Sequence, residues 1–201
     1  MIPRTLICEL KSHIENLRKM DYIKPGEVPN IDLYMDQVTT FMENQLAGTK
    51  RTPDDKIMTK TMINNYTKNK LMPPPERKKY SKDHMLLLIF IYYFKSIMSI
   101  SDLQQILTPL SEYCFGKKDS TPEEPNLFAV YEEIFRLEHD YYYQIKENVE
   151  KLRETAEQSF AQVEGEEGEF LKKLSYITLL SHDIFIRKQM IETMVDEMRK
   201  Q

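Results

Sequence analysis

The sequence predicts a mainly α-helical protein, with one small β-hairpin in its first half and a hairpin of two long helices in its second half. Apolar residues recur at spacings of three or four in most segments, which is the period of a helix that buries one face. The 5 glycines among 201 residues all fall between apolar runs, where they separate elements. No proline follows Pro125 for 76 residues, which favours long uninterrupted helices.

The first half divides into five helical segments separated by polar or proline-bearing stretches. Helical spacing predicts helices over residues 4–20, 31–46, 59–70, 81–97 and 99–107. Thr59, Ser81 and Ser99 stand where N-cap residues are expected. Residues 85–94 are apolar on every side, so we expect the fourth helix to be buried all round. Pro109 is expected at or just past the end of the fifth helix.

A short turn follows the third predicted helix. The three prolines at 73–75 end that helix and hold the chain extended. Residues 76–79 then turn the chain, and Lys79-Tyr80 can return as a short strand beside Leu71-Met72. This arrangement places basic side chains at the tip of the turn, close to where a nucleic-acid backbone would pass if the neighbouring helix entered a groove.

The charge of the chain is unevenly distributed. The net charge is −4, but residues 50–82 carry ten Lys/Arg against three acids, a net of +7. A basic island on an acidic chain indicates a local anion-binding face. The alternative is a solvated loop with chance lysines.

The third predicted helix has a polar and basic outer side. Met62, Ile63 and Tyr66 form its inward stripe, which leaves Asn64 and Asn65 outside. Adjacent asparagines are poor helix formers, which indicates a task other than stability, since asparagine can pair with an adenine edge. They could equally sit on a merely wet face. A polar helix and a basic turn held against an apolar helix are typical of winged helix-turn-helix proteins that bind DNA.

Four short stretches resemble the MerR-type winged helix in order and spacing: residues 59–66, 71–74, 79–81 and 97–100. The chain looks closer still to a bacterial family of unknown function, from low-GC Gram-positive bacteria, whose core is related to MerR. The resemblance covers about residues 31–110. The turn is shorter here than the MerR wing and lacks its glycine, and the link at 47–57 is longer than the usual turn.

The resemblance implies that the third helix enters the major groove and that the turn is the wing. In that pattern Thr59, Thr61, Asn64 and Tyr66 fall on positions of the DNA-binding helix, and Arg77 and Lys78 fall in the wing. Together with the charge pattern, this predicts a DNA-binding set of Thr59, Lys60, Thr61, Asn64, Asn65, Tyr66, Lys68, Arg77, Lys78 and Lys79.

A polar stretch at 116–125 predicts two domains, a winged-helix domain at 1–115 and a helical hairpin at 125–201. Apolar spacing predicts one long helix over 127–160, an interruption at 165–168 and a second helix over 170–198. Residues 119–201 carry a net charge of −9, so we expect this half to avoid DNA and to serve packing or dimerisation. The expected partners are double-stranded DNA and a second copy of the chain that reads a second half-site.

No catalytic or cofactor-binding pattern appears, so we do not expect an enzyme. The four histidines are scattered, and adjacent pairs such as His139-Asp140 point in different directions on a helix. We therefore expect no metal site and no cofactor. Aromatic residues gathered at 128–143 could line an effector pocket, but core packing or a dimer seam would use them as well.

The cysteine and apolar patterns point to the cytoplasm and away from a membrane. The two cysteines, Cys8 and Cys114, form no disulfide framework, which fits a reducing compartment. The longest apolar run has ten residues, about half of what a bilayer-spanning helix needs. Two function classes remain: a sequence-specific DNA-binding transcription regulator, and a helical protein–protein interaction module that uses a winged-helix scaffold without DNA.

Overall fold

A computed structural model describes residues 23–200 and shows a mainly helical protein, as predicted. Within this range there are six α-helices and one antiparallel sheet of two short strands. The strands are β1 (Leu33–Tyr34) and β2 (Lys79–Tyr80). The helices are α1 (Met35–Leu46), α2 (Lys60–Lys68), α3 (Lys82–Phe94), α4 (Ile100–Cys114), α5 (Leu127–Gln158) and α6 (Gly165–Met198). The helix predicted over 4–20 lies outside the described residues.

The strand Lys79–Tyr80 exists, but the prediction of its partner was wrong. It pairs with β1, in the register Leu33↔Tyr80 and Tyr34↔Lys79, and not with Leu71-Met72. Leu71 and Met72 are both buried, at 0% and 3% exposure. Consecutive residues of a strand with one solvent-exposed face would instead alternate between buried and exposed. The same pairing shortens the predicted helix at 31–46, because α1 begins only after β1.

The fully apolar helix α3 is buried all round, as its composition predicted. Every residue from 84 to 91 is buried, and the core of the first half forms around this helix. A helix with apolar residues on every side needs partners on every side. Elements before and after α3 in the chain supply them, among them Val38 and Met42 from α1, Ile63 from α2, and Leu103 and Leu107 from α4.

Helix α4 is longer than predicted. It runs through Pro109 and ends only at Cys114, five residues further on. Proline has no N–H to donate and disfavours a helix interior. Pro109 lies on the exposed side, however, while Leu107 and Cys114 lie two turns apart on the buried side, at 0% and 1% exposure. Continuing the helix therefore buries Cys114, and this offsets the lost hydrogen bond.

The chain divides into two compact units that do not coincide with a single cut in the sequence. The described part of the first unit comprises residues 23–136 and 192–200, and the second comprises residues 137–191. The first turns of α5 belong to the first unit, where Leu127 and Tyr131 are buried and the Tyr131 hydroxyl donates to the Ile23 carbonyl. The end of α6 returns to the same unit, where Arg199 pairs with Asp102.

The second unit is an antiparallel helical hairpin, as predicted. The Ser159 hydroxyl donates to Ser175 Oγ at 3.0 Å, and Arg187 donates to the Tyr141 hydroxyl at 3.0 Å, so the two helices run in opposite directions. The interruption lies at residues 159–164 and not at 165–168, which form the first turn of α6. Among the described residues, none of the helices combines the length and hydrophobicity needed to cross a lipid bilayer.

Candidate nucleic-acid interface

The outer face of α2 carries the residues predicted for it. Five of its polar side chains are exposed, while Ile63 is completely buried. The exposed residues are Lys60, Thr61, Asn64, Asn65 and Lys68. Tyr66 is the exception within the predicted set, because only 6% of it is exposed and burial raises the pKa of its hydroxyl. It belongs to the core, and we remove it from the candidate interface.

The two asparagines on this face are open for binding. Both side chains are exposed, and neither amide group makes a hydrogen bond to any other described residue. Asn65 contributes only its backbone carbonyl, which accepts from the Asn69 side chain at 2.8 Å. Each side-chain amide thus keeps one donor group and one acceptor group available, the combination that recognises an adenine edge.

The first turn of α2 is fixed by a cap and an ion pair. Thr59 Oγ1 accepts a hydrogen bond from the Met62 N–H at 3.2 Å, as its position predicted. Thr59 is half-buried, so its role here is to start the helix. The neighbouring Lys60 ammonium pairs with Asp36 in the first turn of α1.

The last turn of α2 closes with a Schellman motif that has lysine in place of glycine. The Leu71 N–H donates to the Tyr66 carbonyl at 2.9 Å, and the Lys70 N–H donates to the Thr67 carbonyl at 3.0 Å. Lys70 adopts a φ of 57°, the left-handed conformation in which glycine is usual. Leu71 is fully buried and anchors the chain where it leaves the helix.

The predicted turn at 76–79 is a tight hairpin turn whose two central residues are both basic. The Lys79 N–H donates to the Glu76 carbonyl at 2.8 Å. Arg77 and Lys78 have φ values of 47° and 64°, the type I′ pattern that normally selects Asn-Gly or Gly-Gly. All four residues are exposed. The turn therefore presents two cations on a backbone conformation that costs free energy.

Two residues that sequence reasoning missed lie beside both parts of this surface. Tyr34 is 54% exposed, and the Lys79 ammonium lies 5.7 Å from the centre of its ring. Asp36, two residues later, pairs with Lys60. The start of α2 and the base of the turn thus both meet the beginning of α1. We call this surface, made of the exposed residues of α2, the turn at 76–79 and Tyr34, the basic face.

A buried histidine supports the basic face from below. His84 lies at 3% exposure between the rings of Tyr80 and Phe115, with centroid distances of 5.6 and 4.8 Å. Its Nδ1 accepts from the Ser81 N–H at 3.0 Å, so the ring caps α3 directly after β2. Burial lowers the pKa of His84 below its ordinary value, which favours the neutral ring required by this hydrogen bond.

The other chemistry considered from the sequence does not converge on a site. Within residues 23–200 no cluster of three or more His, Cys, Asp or Glu side chains is arranged to hold a metal ion. Of the aromatic residues at 128–143, Tyr131 is buried in the first unit, whereas Tyr141 and Tyr143 are exposed in the second. These residues do not gather into one pocket lining.

Comparison with known proteins places the basic face within a named domain. Residues 23–134 match a domain of unknown function, DUF1836, and they make up more than half of the chain. The chain belongs to the DUF1836 family. The matched segment nearly coincides with the described start of the first compact unit, residues 23–136, so the DUF1836 domain contains the whole basic face. No curated protein and no solved structure matches the chain.

Proposed function

We propose that this DUF1836 protein is a sequence-specific DNA-binding transcription regulator that works in the cytoplasm. Helix α2 would enter the major groove in the manner of a MerR-type winged helix, and the turn at 76–79 would act as a short wing on the flanking backbone. The observation that carries this proposal is the exposed pair Asn64-Asn65, whose amides have no partner in the described protein and which lie between basic residues.

Each part of the basic face has a separate task in this proposal. Asn64 and Asn65 would read base edges, because their amides match the donor and acceptor of adenine. Lys60, Lys68 and the turn cations would neutralise phosphates and set the register without reading sequence. The left-handed backbone at Arg77 and Lys78 supports a functional role for the turn, since strained backbone conformations are found mostly at functional sites.

The protein would bind DNA as a homodimer, with one α2 helix in each of two half-sites. The second unit supports a partner of some kind, because it exposes large apolar side chains such as Phe170, Ile177 and Ile184, at 64%, 59% and 64%. The same observation supports the alternative function, a protein-interaction module that docks through apolar faces. A small-molecule effector stays a prediction from the sequence.

Selection of bound fragments from random DNA, using the purified full chain, tests the proposal. We expect one enriched motif, and an affinity that falls steeply with salt because phosphate contacts release counterions. Asn64→Ala should reduce discrimination between the motif and its variants by about 1–3 kcal/mol. Lys78→Ala should weaken all DNA sequences about equally.

Two matched variants serve as controls. Asn44 is an exposed asparagine of α1, and Lys118 is an exposed lysine of the 116–125 segment; both lie outside the basic face. Asn44→Ala and Lys118→Ala should leave both DNA properties unchanged. If no motif is enriched at low salt, or if Asn64→Ala behaves like Asn44→Ala, α2 does not read DNA. Binding to a protein that depends weakly on salt would then favour the interaction module.

A further inference from the structure

A second basic site lies away from the outer face of α2, in a cleft beside the link that leads into this helix. The link runs from the turn Ala47–Thr49 to Met58, and it packs against the C-terminal end of α3. The cleft between them has a volume of about 470 Å³. Its lining includes Thr49, Lys50, Lys56, Tyr92, Lys95 and Ser96. This volume lies within the range of small-molecule sites, about 300–1,000 Å³.

Lys95 is the key residue of this cleft. Its ammonium donates to the Ile57 carbonyl at 2.9 Å and lies 4.7 Å from the centre of the Tyr92 ring. Among the described residues, no carboxylate forms a salt bridge with it. Burial lowers the pKa of Lys95. A half-buried cation in a cleft without an acidic partner is a candidate ligand contact.

The neighbouring charges leave the cleft positive. Lys56 is exposed and makes no salt bridge within the described part of the chain, whereas Lys50 pairs with Glu43. Asp55 also lines the cleft, and its carboxylate accepts hydrogen bonds from the N–H groups of Arg51 and Thr52, each at 2.9 Å, which hold it within the link. Three ammonium groups therefore face two carboxylates. Glu43 pairs with Lys50 and also feels the charge of Lys56, but neither Lys56 nor Lys95 forms a salt bridge within the described residues.

The remaining groups define what chemistry fits. The hydroxyls at the wall are engaged within the protein: Thr49 donates to the Leu46 carbonyl at 2.7 Å and hydrogen-bonds to Tyr92, and Ser96 donates to the Tyr93 carbonyl at 3.1 Å. The donors left for a ligand are the ammonium groups, and these suit an oxyanion with several acceptor oxygens. The half-buried ring of Tyr92 offers an apolar surface beside the charges. The volume exceeds what a bare phosphate ion needs, so there is room for an attached small group.

We propose that this cleft binds a small phosphate compound, with Lys95 and Lys56 as the charged contacts to its phosphate group. The link that ends at Thr59, the cap of α2, forms one wall of this site. The site is distinct from the outer face of α2, and its existence does not depend on whether the protein binds DNA.

Calorimetric titration of the full chain, without DNA, tests this site. The probes are inorganic phosphate and glucose 6-phosphate, with sodium chloride at matched ionic strength and glucose as the uncharged counterpart. We expect saturable binding of at least one phosphate probe and none of glucose. Tighter binding of glucose 6-phosphate would identify a phosphate monoester as the ligand class, and equal binding would identify the phosphate ion itself.

Variants assign the binding to the cleft. Lys95→Met keeps the apolar stem and removes the charge, and it should weaken binding at least about tenfold, as expected for the loss of one charged hydrogen bond. Lys56→Gln should weaken binding about fivefold. Lys118→Gln, an exposed lysine elsewhere in the same unit, should have no effect.

The assignment is overturned if neither phosphate probe binds beyond matched chloride, or if the two cleft variants bind like Lys118→Gln. If Lys95→Met fails to fold, because the tether to Ile57 is lost, Lys56→Gln alone decides the question. Lys56 is exposed and holds no internal contact of this kind, so its variant keeps the fold. Failure to enrich a DNA motif would count against the proposed regulator and would leave this result standing.

Discussion

Three basic residues of the DUF1836 domain adopt backbone conformations that usually belong to glycine. Lys70 closes α2, and Arg77 and Lys78 form the centre of the turn, all with φ between 47° and 64°. A left-handed residue with a β-carbon costs about 1–2 kcal/mol. Glycine or asparagine would remove most of that cost, so the basic residues at these three positions lower the stability of the fold.

The turn offers a direct test of this exchange. Arg77→Asn combined with Lys78→Gly should raise the free energy of unfolding by about 1–2 kcal/mol, because both residues then tolerate the type I′ backbone. The same variant should lose DNA affinity. Urea unfolding and a DNA-binding titration measure the two effects.

A second variant separates charge from strain. Arg77→Gln with Lys78→Gln removes both charges and keeps both β-carbons, so it should lose DNA affinity without becoming more stable. Equal stability of the two double variants would show that the turn is not strained.

Buried His84 predicts a particular dependence of stability on pH. Burial lowers the pKa of His84 in the folded protein. Below about pH 6.5 this imidazole is therefore protonated in the unfolded chain before it is protonated in the folded protein. The contribution of His84 to the free energy of unfolding should therefore be largest above pH 6.5 and fall as the pH decreases, by up to about 1.4 kcal/mol per pH unit. His84→Gln retains a side chain that can cap α3 and should show a smaller fall.

The native protein must be compared with His84→Gln in that experiment, because Glu138 also titrates in this pH range. Burial raises its pKa to about 7, so its protonation stabilises the fold as the pH decreases, opposite in sign to His84. The effect is present in both the native protein and His84→Gln, so it cancels in their difference. Identical pH profiles between pH 7 and 5 would contradict the role assigned to His84.

At the residue scale the sequence predicted which side chains of α2 are buried and which are exposed. It did not predict that Tyr34 lies beside the turn at 76–79. The helical period alone separates Ile63 from Asn64, and the structure agrees. The sequence predicts a helix over 31–46, which contains Tyr34, but the orientation of Tyr34 is set by a two-residue strand in which it pairs with Lys79, 45 positions away. A pairing that short leaves no alternation in the sequence, so its register cannot be read locally.

At the scale of elements, helices were predictable because each satisfies its own hydrogen bonds and shows its buried face as a period. The apolar run at 85–94 predicted a helix surrounded by protein, and α3 is buried from residue 84 to residue 91. Ends were less predictable where tertiary burial overrides a local breaker. Pro109 stops an isolated helix, yet α4 continues past it to bury Cys114.

The start of α6 gives a prediction for a single β-carbon. A methyl group at Gly168 would lie 1.9 Å from the Val163 carbonyl oxygen, a distance that backbone atoms do not allow. Gly168→Ala should therefore lower the free energy of unfolding by about 2 kcal/mol or more through the forced backbone shift. Thermal or urea unfolding measures the loss.

Gly26→Ala is the matched control, because no atom lies within 4 Å of its added β-carbon. It should change stability by less than about 0.5 kcal/mol. A Gly168→Ala variant as stable as Gly26→Ala would mean that the turn at 159–164 adopts another path.

At the scale of the whole molecule, the second unit carries a prediction about assembly. Phe170, Leu174, Ile177 and Ile184 follow one another at helical spacings along α6 and are 46–64% exposed. An apolar stripe of this kind is a seam for another helix. We expect sedimentation velocity to show a dimer, and Ile177→Lys with Ile184→Lys to convert it into a monomer.

His182→Lys is the control for that experiment, since His182 is exposed on the same helix between the two isoleucines in sequence and outside the stripe. A dimer that survives the double variant would assign dimerisation to another surface. A native protein that sediments as a monomer would remove the homodimer from the proposed function.

The division into two units could not be predicted from the sequence, because the apolar periodicity of α5 and α6 continues unchanged across the boundaries at 136/137 and 191/192. Residues 127–136 read as the start of a separate hairpin, yet Tyr131 packs in the core of the DUF1836 domain. Likewise Val195 follows the apolar repeat of α6 but is buried, at 2% exposure, in the unit that contains residues 23–136. Which end of a long helix joins which core depends on distant partners.

The return of the chain to the first unit near Arg199 determines how the protein should respond to proteolysis and to truncation. Because residues 192–200 belong to the same unit as 23–136, the hairpin is an insertion with both ends rooted in one body. A protease that nicks the peptide between 159 and 164 would leave two fragments that migrate together until denaturant is added. A fragment that ends at residue 134 would instead lack the buried side chain of Val195 and the Arg199 guanidinium that pairs with Asp102. Its core would therefore contain a cavity, and Asp102 would lose its ion pair.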